Sequence, residues 1–92
     1  MVILLGNLKC LNDVQVLTPD FKKQNIIVET LESNIPFSID FSNDKIQLLK
    51  DLKIGSVVRI EYYVRGNYSK TDNNKAFNSF EAKSLNEMIL KS

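Results

Sequence analysis

Apolar and polar residues alternate along most of this chain, and the period is two far more often than 3.6, which predicts strands. The first segment, Val2 to about Leu11, sets Val2, Leu4, Leu8 and Cys10 against Ile3, Leu5, Asn7 and Lys9. Apolar residues on both faces at its start predict cover on two sides. Gly6 within the pattern predicts a bulge or bend, and Asn12-Asp13 a second irregularity before Val14 to Leu17. Thr18-Pro19-Asp20 is a turn signal. Strand two then runs from Phe21 to Leu31, with Ile26 and Val28 on one face and Lys23, Asn25 and Glu29 on the other. Strand three, Ile35 to Phe41, alternates sharply: Ile35, Phe37, Ile39 and Phe41 inward, Pro36, Ser38 and Asp40 outward.

The period changes once. Asp44 to about Leu52, capped by Ser42 or Asn43, carries Ile46, Leu49 and Leu52 at helical spacing, with Leu48 alongside. Asp44 in the first turn and Lys50 and Lys53 near the end suit the helix dipole, and Lys53-Ile54-Gly55 reads as the stop. Strand four, Ser56 to about Tyr68, puts Val58, Ile60, Tyr62 and Val64 on one face and Arg59, Glu61, Tyr63 and Arg65 on the other. Ser69 to Lys75 is a polar hairpin loop. The last strand, Ala76 to Leu85, turns Phe80 and Ala82 inward and Phe77, Ser79, Glu81 and Lys83 outward. The tail, 86–92, reads as a final helical turn using Met88, Ile89 and Leu90. The expected fold is all-β: a five-stranded OB-fold barrel with one helix between strands three and four, a single domain over 1–92. A two-layer sheet is the competing arrangement, but one short helix covers too little of five strands.

Composition narrows the chemistry. The chain has 92 residues, 12 basic and 11 acidic, with no His and one Cys, Cys10. A His-based metal site, a Ser-His-Asp or Cys-His nucleophile and an internal disulfide are therefore excluded. Asp13, Asp20, Asp40 and Asp44 are scattered over turns and a strand face, and Ser69-Lys70-Thr71 follows no glycine-rich loop. No enzyme chemistry, cofactor or metal is expected. The opening Met1-Val2-Ile3-Leu4-Leu5 is too short for a signal sequence or a membrane span, so a cytoplasmic protein without membrane association is expected.

The stretch from Pro36 through Asp44-Lys-Ile-Gln-Leu-Leu to Lys53-Ile-Gly-Ser-Val-Val-Arg-Ile-Glu resembles the middle of bacterial single-stranded DNA-binding proteins. There too a strand leads into a helix, a Lys-Gly pair and a strand of Val-x-Ile character. Gly66 to Phe77 looks like that family's long hairpin. The chain is also similar to a family of small, uncharacterised bacterial OB-like proteins. The shared motifs are Phe21 to Lys23, Asp44 to Leu49 and Phe77 to Ser79. The resemblance covers roughly residues 20 to 85 and implies an OB-fold and single-strand binding.

Such binding needs a cationic groove for phosphates and exposed aromatic faces for bases. The near-neutral total hides a polarised distribution. Between Lys53 and Lys83 lie six basic residues against three acidic ones, while Glu29, Glu32, Asp40 and Asp44 gather upstream. Arg59, Tyr63 and Arg65 on strand four, Tyr68, Lys70 and Lys75 around the hairpin, and Phe77 beyond it form the candidate surface. Lys22 and Lys23 join from strand two. Tyr62, Phe37 and Phe41 are expected in the core by parity. The expected partner is single-stranded DNA, with RNA as a variant, bound by a small homo-oligomer (dimer or tetramer). The alternative is a protein-assembly module using Tyr63, Phe77 and the Met88-Ile89-Leu90 tail.

Overall fold

The computed structural model describes residues 2–68, 71 and 74–88. Five strands follow the alternating segments: β1 (Val2–Thr18), β2 (Phe21–Thr30), β3 (Pro36–Ser42), β4 (Val57–Tyr68) and β5 (Ala76–Met88). A 3₁₀ helix, Asn43–Leu49, lies between β3 and β4. The strands close into a barrel in the order β1-β2-β3-β5-β4. This is the OB-fold arrangement that the pattern predicts.

β1 is one continuous strand that serves two neighbours. Its Val2–Asn7 half pairs with β4, and from Gly6 onward it pairs with β2. Gly6 stands where the two pairings overlap, opposite both Thr30 and Val58. A Cβ there would collide with the Glu29 carbonyl oxygen and Val28 Cγ1, so the position needs a glycine for close approach. The expected bulge is not at Gly6: the register shifts lie between Leu8 and Cys10, between Val16 and Thr18 and, as predicted, across Asn12-Asp13. These extra residues bend the strand round the barrel. Cover on both faces of β1 is also not found, because Ile3 and Leu5 are exposed on the outside.

The inward residues meet as the parity requires. Leu8, Ile26, Val28, Ile39, Phe41, Val58 and Ile60 are wholly removed from solvent. Each such side chain contributes on the order of 1.5–3 kcal/mol of hydrophobic stabilisation. Tyr62 is buried, and its ring packs with Phe37 and Phe80 at centroid distances of 5.3 and 5.7 Å. Ile35, expected inward, lies just before β3 and is exposed.

The helical segment is shorter and tighter than an α-helix. Lys50 N–H donates to the Gln47 carbonyl and Leu52 N–H to that of Leu49, both three-residue reaches. Asp51 (φ 69°) and Gly55 (φ 96°) are left-handed, which stops propagation. Lys50 and Lys53 therefore fall beyond the helix, and its last turn carries no basic residue. Leu49 is buried and Ile46 and Leu52 pack against the core, so the segment plugs one end of the barrel. Ser42 occupies the N-cap position without a side-chain cap bond.

β4 and β5 run on past the barrel as a two-stranded arm, paired as far as Tyr68 opposite Ala76. β1 pairs with β4 no further than Tyr62, so nothing from β1 covers the arm. That is why Val64, expected inward, is 55% exposed. The predicted helical turn of the tail is overturned at Asn86, Glu87 and Met88, which continue β5 opposite Arg59, Val58 and Val57. Ile89 and Leu90 lie outside the described residues. Among the described residues no helix is long and apolar enough to cross a membrane.

Candidate nucleic-acid interface

Register determines which side chains share a surface. On the outer face of β4 and β5, Tyr63 stands opposite Glu81, Arg65 opposite Ser79, and Asn67 opposite Phe77. Tyr63, Arg65 and Phe77 therefore lie on one face of the arm, with Tyr63 41% and Phe77 67% exposed. Two aromatic rings with a guanidinium between them are the residue types that base stacking beside a phosphate contact would use. Lys75 is exposed at the end of the arm, beside the start of β5. These are the predicted binding residues that the fold brings together.

Others are dispersed. Tyr68, 75% exposed, has the opposite parity to Tyr63 and belongs to the other face of the arm. Arg59 stands opposite Leu5 of β1, and its Nη1 pairs with Glu61 Oε1 at 3.2 Å. It shares the outward face of β4 with Tyr63 and Arg65, four residues from Tyr63 on the barrel side, and already has an anionic partner. Lys22 and Lys23 alternate across β2. Lys22 lines a cleft with Asn43 and Asp44 at the helix entrance, and its backbone N–H donates to Asn43 Oδ1 (2.9 Å). Lys23 faces a different cleft, with Asn12, Asn25 and Asp40. Lys70 lies outside the described residues. The tail contact surface of the assembly alternative is not contiguous, since Met88 stands opposite Val57, at the far end of β4 from Phe77.

The outer face carries polar groups that the pattern did not single out. Asn12 Nδ2 donates to Asn25 Oδ1 (3.0 Å), and Asn25 Nδ2 lies 2.6 Å from Ser38 Oγ and 3.0 Å from Asp40 Oδ1. Cys10 Sγ completes the chain by donating to Asn12 Oδ1 (3.3 Å). Asp40 is in turn the β3 residue opposite Glu81, where β3 and β5 pair in parallel. A row Asn12, Asn25, Asp40, Glu81, Tyr63 thus crosses the barrel from β1 to β4.

Glu81 departs from its predicted solvated position. It keeps the outward parity but is 5% exposed. Closure of β3 onto β5 covers it, a contact invisible to strand periodicity. Among the described residues one ion pair is present, Arg59 with Glu61, and it reaches neither Asp40 nor Glu81. No cluster of three or more metal-ligating side chains occurs among the described residues.

The chain belongs to the family described as a domain of unknown function, DUF3127, whose model matches residues 4–86. That span runs from near the start of β1 to nearly the end of β5. No curated protein matches the chain.

Proposed function

We propose that this protein is a non-catalytic single-stranded DNA-binding OB-fold protein, with RNA as a related ligand, that engages the strand along the outer face of β5 and β4. The observation that carries the reading is the exposed Tyr63, Arg65, Phe77 row, at 41% and 67% exposure for the two rings. Large aromatic rings left in water on a paired strand arm, with a cation between them, suit bases stacking in succession while the backbone meets the charge. Lys75 extends the cationic track at the end of the arm, with Lys70 and Lys23 as further candidates for phosphate contacts. With about three or four phosphates neutralised, log affinity falls against log salt with a slope near −2 to −3.

Fluorescence anisotropy with labelled oligo-dT and oligo-U, titrated with salt, tests the reading. Salt-sensitive binding is expected. Folded protein that fails to bind either strand at low salt would overturn it.

A second observation supports self-association in the same reading. On its β2 side, β1 has no strand partner over Val2–Leu4, because pairing with β2 starts at Gly6. Beside this open edge lies a cleft of about 620 Å³ lined by Ile3, Leu5, Leu31 and Ile35, each between 43% and 55% exposed. An open apolar edge invites another strand, and a second copy of the chain supplies the homo-oligomer. Light scattering is expected to report a dimer or tetramer, reduced in mass by Ile3→Glu with Leu31→Glu. A wild-type monomer would refute it. An oligomer that binds no oligonucleotide would instead favour a protein-assembly role.

A further inference from the structure

β3 and β5 meet at a single position, Asp40 opposite Glu81, and β3 then pairs with β2 alone. Toward the arm the two strands part around a slot of about 520 Å³. That volume is within the range of roughly 300–1,000 Å³ typical of small-ligand sites. Phe37 and Phe80 form its aromatic side, their ring centroids 4.5 Å apart. Ser38, Asp40, Asn78 and Ser79 supply polar walls. Asn25, held by Asn12, bonds to Asp40 Oδ1 and so fixes that carboxylate in place.

We propose that this slot receives one base of the bound strand and selects guanine; the inference rests on the single-strand-binding reading above. Three features choose the occupant. The aromatic side, where Phe37 and Phe80 are tilted at 42° to each other, offers a ring face to a base. The walls offer hydrogen bonds that an aliphatic side chain would leave unmade. Asp40 and the nearly buried Glu81 carry negative charge without an ion pair among the described residues, so the slot repels phosphate and any base edge made of carbonyls. Guanine presents two adjacent donors on its Watson–Crick edge, N1–H and the N2 amino group, which one carboxylate accepts together. Thymine presents one N–H between two carbonyls. Arg65, opposite the slot residue Ser79, stands on the neighbouring strand where the phosphate would lie. The base therefore enters toward β3 while its backbone stays over β4.

A protein arginine is the other flat, donor-rich group that an acidic slot could take. Arg65, opposite the slot residue Ser79, and Lys75 at the end of the arm disfavour a cationic peptide, whereas they favour a polyanion.

The test uses the whole chain and labelled thymine tracts carrying one central guanine, inosine, adenine or cytosine, compared by anisotropy at fixed low salt. Guanine is expected to bind more tightly than thymine, on the order of tenfold, the worth of a good bidentate contact. Inosine, which lacks the N2 amino group, is expected to forfeit most of that gain. Asp40→Asn should abolish the guanine preference without weakening binding of the plain thymine tract. The inosine comparison needs no variant, so it decides the matter even where Asp40→Asn disturbs folding. Equal binding of all tracts, or a gain from cytosine or adenine as large as that from guanine, overturns base selection while leaving strand binding standing. Absence of binding to every tract overturns the strand-binding reading and this inference with it. Displacement of the strand by argininamide and not by guanosine would assign the slot to a protein side chain and also overturn the proposal.

Discussion

Replacing Tyr63 or Phe77 by Ala isolates the stacking contribution, because both rings are largely outside the core at 41% and 67% exposure. Truncation there should change folding stability by on the order of 1 kcal/mol, the span of strand propensity on a half-covered face. The rows that hold them, Tyr63 with Glu81 and Asn67 with Phe77, are four residues apart along the arm. At about 3.4 Å per residue the rings are ~14 Å apart, far enough to stack on different bases with Arg65 between them. Each ring is expected to contribute about 1–3 kcal/mol to strand binding. That corresponds to a weakening of roughly 5- to 150-fold per substitution. Neither ring neutralises a phosphate, so the slope of log affinity against log salt should stay unchanged in both variants. Arg65→Ala should behave differently, losing affinity and flattening the slope by about 0.7. Anisotropy across a salt series, with thermal melting as the folding control, separates the two behaviours. Unchanged affinity in both aromatic variants, or a slope change as large as that of Arg65→Ala, would refute stacking on the arm.

Three further expectations concern the scaffold. Phe41→Ala removes the largest fully buried side chain and should cost about 3–5 kcal/mol, read as a lower urea midpoint. Gly6→Ala drives a methyl group into the Glu29 carbonyl and Val28, and should cost about 1–3 kcal/mol by the same assay. Glu81→Gln removes a charge held at 5% exposure without an ion pair among the described residues. It should raise the urea midpoint slightly, since a charge at a largely covered position without an ionic partner carries a desolvation cost.

Alternation made the barrel legible because inward parity translates directly into burial once strands close on one another. Val28, Ile39, Ile60 and Ala82 illustrate this, each fully buried as its parity requires. Parity failed where cover depends on partners remote in sequence. Val64 has the parity of Ile60 but lies beyond the reach of β1, and Ile3 and Leu5 face outward with nothing over them. Glu81 shows the converse, an outward residue covered by a parallel strand that no local pattern announces. Helical spacing at Ile46, Leu49 and Leu52 located the plug correctly. Its geometry was not legible, because the left-handed Asp51 arrests the segment before an α-helix can extend. At the candidate interface, exposed aromatics were readable from parity, while grouping needed register. Tyr63 and Phe77 share a face, whereas Tyr68, five residues from Tyr63, takes the other.

The same register gives the nearly balanced charge a direction. Basic residues at Arg65 and Lys75 follow the arm, and carboxylates at Asp40 and Glu81 flank the single point where β3 meets β5. A uniformly basic surface would hold a strand by its phosphates in any orientation. A cationic arm beside an acidic seam does not, because turning the backbone toward β3 would bring phosphates against two unneutralised carboxylates. At an effective dielectric of about 20, two unit charges of like sign 4 Å apart repel by roughly 4 kcal/mol, enough to decide orientation even after considerable screening. The acidic residues that lower the net charge thus oppose one of the two ways a strand could lie. Near-neutrality then becomes part of how the barrel would present bases inward and phosphates outward, at the expense of affinity from charge alone.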